Sequence, residues 1–139
     1  MSRQATLVVA DDASYTLTGK INLSGIYPTD INIPRNPTFA GQLVFMFVIE
    51  TEPNDPYRQI SLRVELPGGD SRQLELQVGT FKDGESDKIR WCVKFPLLFQ
   101  NPVLRPGPIA ASVIHDKGII LTVAPSLVLR PPATIVEKD

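Results

Sequence analysis

Cysteine, histidine and unbalanced charge are all scarce in this chain of 139 residues. The one cysteine, Cys92, has no partner for an internal disulfide, and there is no CxxC pair of the kind that holds zinc. The one histidine, His115, excludes a histidine-rich metal centre. Lys and Arg number 14 against 15 Asp and Glu, a net charge of −1. Such balance removes the long-range field that nucleic-acid binders and polybasic membrane proteins use, so neither partner is expected. It also leaves little self-repulsion to oppose homo-association. No apolar run approaches the ~18 residues of a membrane helix. The opening MSRQATLVVA reaches Asp11 and Asp12 too soon for a secretory signal, so a cytoplasmic location is expected.

Proline, by contrast, is abundant: 13 residues, spread from Pro28 to Pro132. Each would cost ~3 kcal/mol inside a helix. The apolar pattern instead has period two. Ile60, Leu62, Val64 and Leu66 alternate with polar residues. After Pro67-Gly68-Gly69-Asp70, Leu74, Leu76 and Val78 do the same. That is a β-hairpin with one buried and one wet face. A second hairpin is expected from Ile109 to Val123 around Asp116-Lys117-Gly118, with Gly118 supplying the turn. Further strands are expected at 6–10, 20–27, 30–33, 89–95 and 126–130, and 11–17 could hold a short helical turn. The sum is an all-β fold: an antiparallel β-sandwich, immunoglobulin-like or related, of eight to nine strands in a single domain over 1–139. Residues 131–139 read as an extended or frayed tail.

Leu43-Val44-Phe45-Met46-Phe47-Val48-Ile49 is apolar on both faces. One face meets the core of a sandwich. The other needs a loop, the tail or a second subunit. Two readings follow: a buried central strand, or an interface formed by Val44, Met46 and Val48. Pro96-Leu97-Leu98-Phe99 is a second apolar segment that offers Leu97 and Phe99 as contact residues.

Few residues could carry chemistry. Asp11 and Asp12 are adjacent, and neighbours in a strand point to opposite faces. The simplest reading is a strand end in which one carboxylate caps backbone N–H groups and the other pairs with a cation such as Lys20. A metal, catalytic or partner-binding role is the alternative. Asp83-Gly84-Glu85-Ser86-Asp87 has oxygen ligands for Ca²⁺ but not the EF-hand spacing, so it reads as a solvated loop. His115 sits at a turn beside Asp116, and no Gly-x-Ser-x-Gly elbow accompanies it. Cys92 reads as a structural thiol between Trp91 and Val93. No glycine-rich phosphate loop is present.

The segment LVVADD…TGKINLSGIYPTDINIP resembles a family of small bacterial β-sandwich proteins without an assigned activity. The matching residues are Asp11, Asp12, Gly19, Lys20, Leu23, Gly25, Ile26 and Tyr27. Arg105-Pro106-Gly107 and the strands after it fit the family's closing turn and final strands. The resemblance implies a sandwich fold and carries over no activity, cofactor or catalytic residue. Ala13-Ser14-Tyr15-Thr16 departs from the charged turn that many such sequences have after the Asp pair.

These observations lead to a non-enzymatic sandwich that acts by protein–protein contact, as a homo-oligomer or with another protein, and needs no cofactor. The alternative is a small-ligand or carbohydrate-binding sandwich with Tyr15, Tyr27, Tyr57 and Trp91 lining a cleft. A hydrolase using Asp11 or Asp12 is the third reading.

Overall fold

A computed structural model describes residues 4–27, 30–51, 58–77, 91–116, 118–121 and 126–130. Among them every regular element is a strand. The first sheet holds β1 (Gln4–Tyr15), β2 (Ile21–Ile26), β5 (Gln42–Thr51) and β8 (Trp91–Gln100), in the order β2-β1-β5-β8. The second holds β6 (Gln59–Glu65), β7 (Ser71–Gln77), β11 (Ala110–His115) and β12 (Gly118–Leu121), in the order β12-β11-β6-β7. Both are antiparallel throughout. Smaller pieces close the ends. β3 (Ile31–Ile33), β10 (Gly107–Pro108) and β13 (Ser126–Leu129) form a three-stranded sheet, and β4 (Thr38–Phe39) pairs with β9 (Val103–Leu104).

The fold is therefore the all-β sandwich that period-two patterning implies, with two differences. The described residues hold thirteen strands against the expected eight to nine, and three of them, β4, β9 and β10, are two-residue pairings that no apolar alternation can announce. In addition, β3 and β13 run parallel, so the structure is not purely antiparallel.

Alternation builds the core. Leu43, Phe45, Phe47 and Ile49 of β5 point inward and meet Ile60, Leu62 and Val64 of β6 and Val113 of β11. Phe45 and Phe99 pack edge to face, their ring centroids 5.5 Å apart at 74°. That geometry suits the opposite charges of ring edge and ring face. The outer face of β6 and β7 is wet, with exposed Arg63, Gln73 and Glu75. The 66–70 turn closes this hairpin through Leu66 N–H to the Asp70 carbonyl at 2.8 Å.

Proline and lysine mark the sheet edge. Pro96 pairs with Met46 in β8, the last strand of the first sheet. Its nitrogen carries no hydrogen, so it is tolerated only where that nitrogen faces away from the ladder. Lys94 lies two residues along the same edge strand, another device that discourages further pairing.

The segment 11–17 is not helical. β1 continues through Asp11 and Asp12 to Tyr15, paired with β2. The Asp pair thus lies inside a strand rather than at its end.

Candidate functional site

The outer face of the first sheet is unusual for a sandwich, since it too is buried. Ala10 and Val44 are fully covered and Met46 nearly so, while Val8, Val48 and Leu98 are half-buried. Part of this face, at Val8, Met46 and Val48, lies against the β1–β2 hairpin. β1 pairs with β5 as far as Ala10 and with β2 from Ala10 onward. A straight β1 would carry Tyr15 roughly 30 Å from Thr6, at about 3.3 Å per residue. Yet Gly19, Lys20, Ile21, Asn22 and Leu23 share a cavity with Val48, the register partner of Thr6. The hairpin therefore turns back over the sheet.

Its sequence suits that position. Ile21 and Leu23 are half-buried and alternate with exposed Asn22 and Ser24, so one face of β2 is apolar. The turn is tied locally. Thr16 N–H donates to the Lys20 carbonyl at 2.8 Å, and Lys20 N–H donates to Thr16 Oγ1 at 3.0 Å. Gly19 takes φ +82°, a left-handed value that glycine adopts without a side-chain penalty.

Between hairpin and sheet lies a cleft of about 560 Å³. Val8, Met46 and Val48 form its floor, and Ile21 and Leu23 lie on the hairpin side. Gly19, Asn22, Lys20 and Lys94 complete the lining. Lys94 pairs with Val48 and so shares its face. Among the described residues neither lysine forms an ion pair.

Asp11 and Asp12 diverge, as strand parity requires. Asp12 Oδ1 accepts from the Ala13 N–H at 2.9 Å. Asp11 instead accepts a hydrogen bond from the Tyr27 hydroxyl. Tyr27 packs against the core and is held to β1 by its own N–H, which donates to the Val9 carbonyl at 2.9 Å. Burial, then the hydrogen bond and the charge of Asp11, push the Tyr27 pKa up to about 12. Among the described residues no ion pair joins Lys20 to either aspartate, and Lys20 lines the cleft.

The other expected site residues fall as follows. Val44 and Met46 are buried within the single chain, and Leu97 and Phe99 lie in the core. A partner surface built from them would have to displace the hairpin or open the sandwich. Tyr15 is exposed on the hairpin. Trp91 and Cys92 enter only through the backbone of β8, paired with Thr51 and Glu50. Tyr57 and the 83–87 acidic loop lie outside the described residues. His115 and Asp116 line a second, polar cleft of about 330 Å³ with Gln59, Ser61, Gln73, Glu75 and Ile114. Among the described residues no three His, Cys, Asp or Glu gather as metal ligands.

Sequence reasoning missed Tyr27 as the partner of Asp11 and Lys94 as part of a site. The first was readable from β1–β2 register, which sets Gly25 opposite Asp11 and Tyr27 on its diagonal. The second had no local signal.

Fold and site together define an all-β sandwich with a hairpin-covered cleft on one sheet. The chain matches no protein-family model, no curated protein and no solved structure.

Proposed function

We propose that this protein is a non-enzymatic binding domain whose ligand site is the cleft between the β1–β2 hairpin and the first sheet. One observation carries this reading: an apolar floor of Val8, Met46 and Val48 shares one cavity with Ile21 and Leu23 of the hairpin. The volume falls within the ~300–1,000 Å³ typical of small-molecule sites. Apolar walls with a few polar groups at the margin are the usual construction of such sites. The hydrolase reading loses support because Asp11 and Asp12 point apart and Asp11 is engaged by Tyr27. Thermal shifts across a panel of sugars and apolar metabolites test the reading. Apolar compounds raise Tm, and Leu23→Asn removes the effect. Shifts from sugars alone would move the site to the polar cleft around Gln73, and no shift at all would overturn ligand binding.

Protein contact or self-association is the second reading, and the hairpin tip favours it. Leu17 is fully exposed and Tyr15 is 61% exposed, two large apolar groups on one projection. Light scattering on wild type and Leu17→Ser checks this. The contact reading expects an oligomer or complex that Leu17→Ser weakens.

A further inference from the structure

We infer that the cleft takes an anionic amphiphile: a single acyl-type chain over Met46 and Val48, with its carboxylate between Lys20 and Lys94. This rests on the binding reading above and adds the chemistry of the ligand. Three features of the site lead to it.

The first is separation of character. The floor side chains Val8, Met46 and Val48 have no charge, and Ile21 and Leu23 share the cavity with them, Asn22 being the one neutral polar side chain of the lining. A ligand body over these five apolar side chains gains by leaving water, and a single amide, Asn22, is the neutral polar partner beside it. A sugar, with hydroxyls all round, would leave those hydroxyls unpaired against this floor.

The second is the sign of the charges. Both ionisable residues of the lining are lysines. They come from different elements, Lys20 from the hairpin turn and Lys94 from the far edge strand. Among the described residues no carboxylate forms an ion pair with either. Glu50, next after Val48 on that face of β5, does not line the cleft. In a chain of net charge −1, two cations at one apolar cavity with no acid in its lining form a local positive site. An anionic head group complements it.

The third is access. The lysines are exposed while Met46 is buried, so the charged head stays near water as the tail enters. Lysine stems suit such a boundary, with apolar carbons along the cleft and the ammonium at its mouth. β1 passes from β5 to β2 at Ala10, and among the described residues no backbone ladder joins β2 to β5, so a tail can enter beneath the hairpin.

The chain carries two methionines, Met1 and Met46. A ¹³C-methyl methionine label therefore gives one reporter on the cleft floor. Decanoate, decanol and decyltrimethylammonium, each below its micelle concentration, are titrated into the full chain while the Met46 methyl resonance is followed. Decanoate shifts the signal to saturation. Octanoate binds about sixteenfold more weakly, since each methylene contributes about fourfold. Lys20→Gln and Lys94→Gln each weaken decanoate by about two- to fivefold, the range for exposed charge pairs, and leave decanol unchanged. The cationic amphiphile binds more weakly than decanol. Equal affinity for all three head groups would overturn the anionic assignment and leave the apolar cleft standing. A Met46 methyl that none of them moves would overturn both. Vesicles of anionic phospholipid separate the source of the chain. Met46 shifts with free decanoate and not with intact vesicles; a shift with vesicles alone would contradict uptake of a free amphiphile.

Discussion

Tyr27 donates its hydroxyl hydrogen to the carboxylate of Asp11, across a strand pair that places Gly25 opposite that aspartate. Gly25 makes the contact possible. A Cβ there would stand 2.5 Å from Asp11 Oδ2, and the backbone has φ +68°. Side chain and conformation thus both call for glycine.

The ionisation of Tyr27 follows from that geometry. Its pKa is raised to about 12, with burial the larger cause and Asp11 the second. The folded state holds this proton more tightly than the unfolded state, where tyrosine has a pKa near ~10. Its contribution to stability is therefore complete below pH ~10 and is lost as pH rises through about 12. Absorbance titration of the phenolates is expected to show a late component with a midpoint of about 12. Asp11→Asn lowers that late midpoint but leaves it above the ordinary value, because burial remains. An unchanged midpoint in Asp11→Asn would disconnect the two residues.

Glycine substitutions separate crowding from conformation. A Cβ on Gly68 would collide with the Val103 carbonyl, a backbone group that cannot swing aside, whereas one on Gly41 meets nothing within 4 Å. Gly68→Ala is expected to cost about 1–3 kcal/mol, as overpacking does. Gly41→Ala is expected to change stability by under about 0.5 kcal/mol, or to stabilise slightly. Urea unfolding of the two variants measures the contrast.

Core and wet face of the second sheet should respond differently. Phe45→Ala removes one ring of the Phe45–Phe99 pair at the centre of the sandwich. The expected loss is about 3–5 kcal/mol. Ile114 is 38% exposed on the outer side, and Ile114→Ala should cost clearly less, at about 1 kcal/mol. Denaturation midpoints that fall together would place Ile114 under cover.

Val44 separates the two covers proposed for the outer face of β5. It is 0% exposed in the single chain. Val44→Thr keeps the shape and adds a hydroxyl, at a cost of about 1–3 kcal/mol when buried without a partner. That loss is expected to be independent of protein concentration. A loss that shrinks as concentration rises would mean that Val44 is covered by a second copy.

Much of the fold was legible because a sandwich strand writes its burial in alternate residues. The β6–β7 hairpin and the pairing of β11 with β12 followed from Ile60 to Leu76 and from Gly118. The two-residue strands were not legible, since Thr38 pairs with Leu104 and Phe39 with Val103 across distant parts of the chain. The cleft was half legible. Residues Val44, Met46 and Val48 announced a second apolar face, but which segment covers it depends on the turning back of β1, a tertiary event. Leu97 and Phe99 show the converse. An apolar run at a strand end read as surface because its neighbour on the paired strand, Phe45, lies more than fifty positions away.

The position of the hairpin is the observation on which the cleft depends, and paramagnetic relaxation tests it. A nitroxide on Asn22→Cys, with Cys92→Ser to leave a single thiol, is read at the ¹³C-labelled Met46 methyl. Diluting labelled chains with unlabelled ones isolates the effect within one molecule. A hairpin lying over the sheet broadens Met46 strongly and to the same extent at every dilution. A Met46 methyl as sharp as in the diamagnetic control would put the hairpin away from the sheet and contradict the cleft.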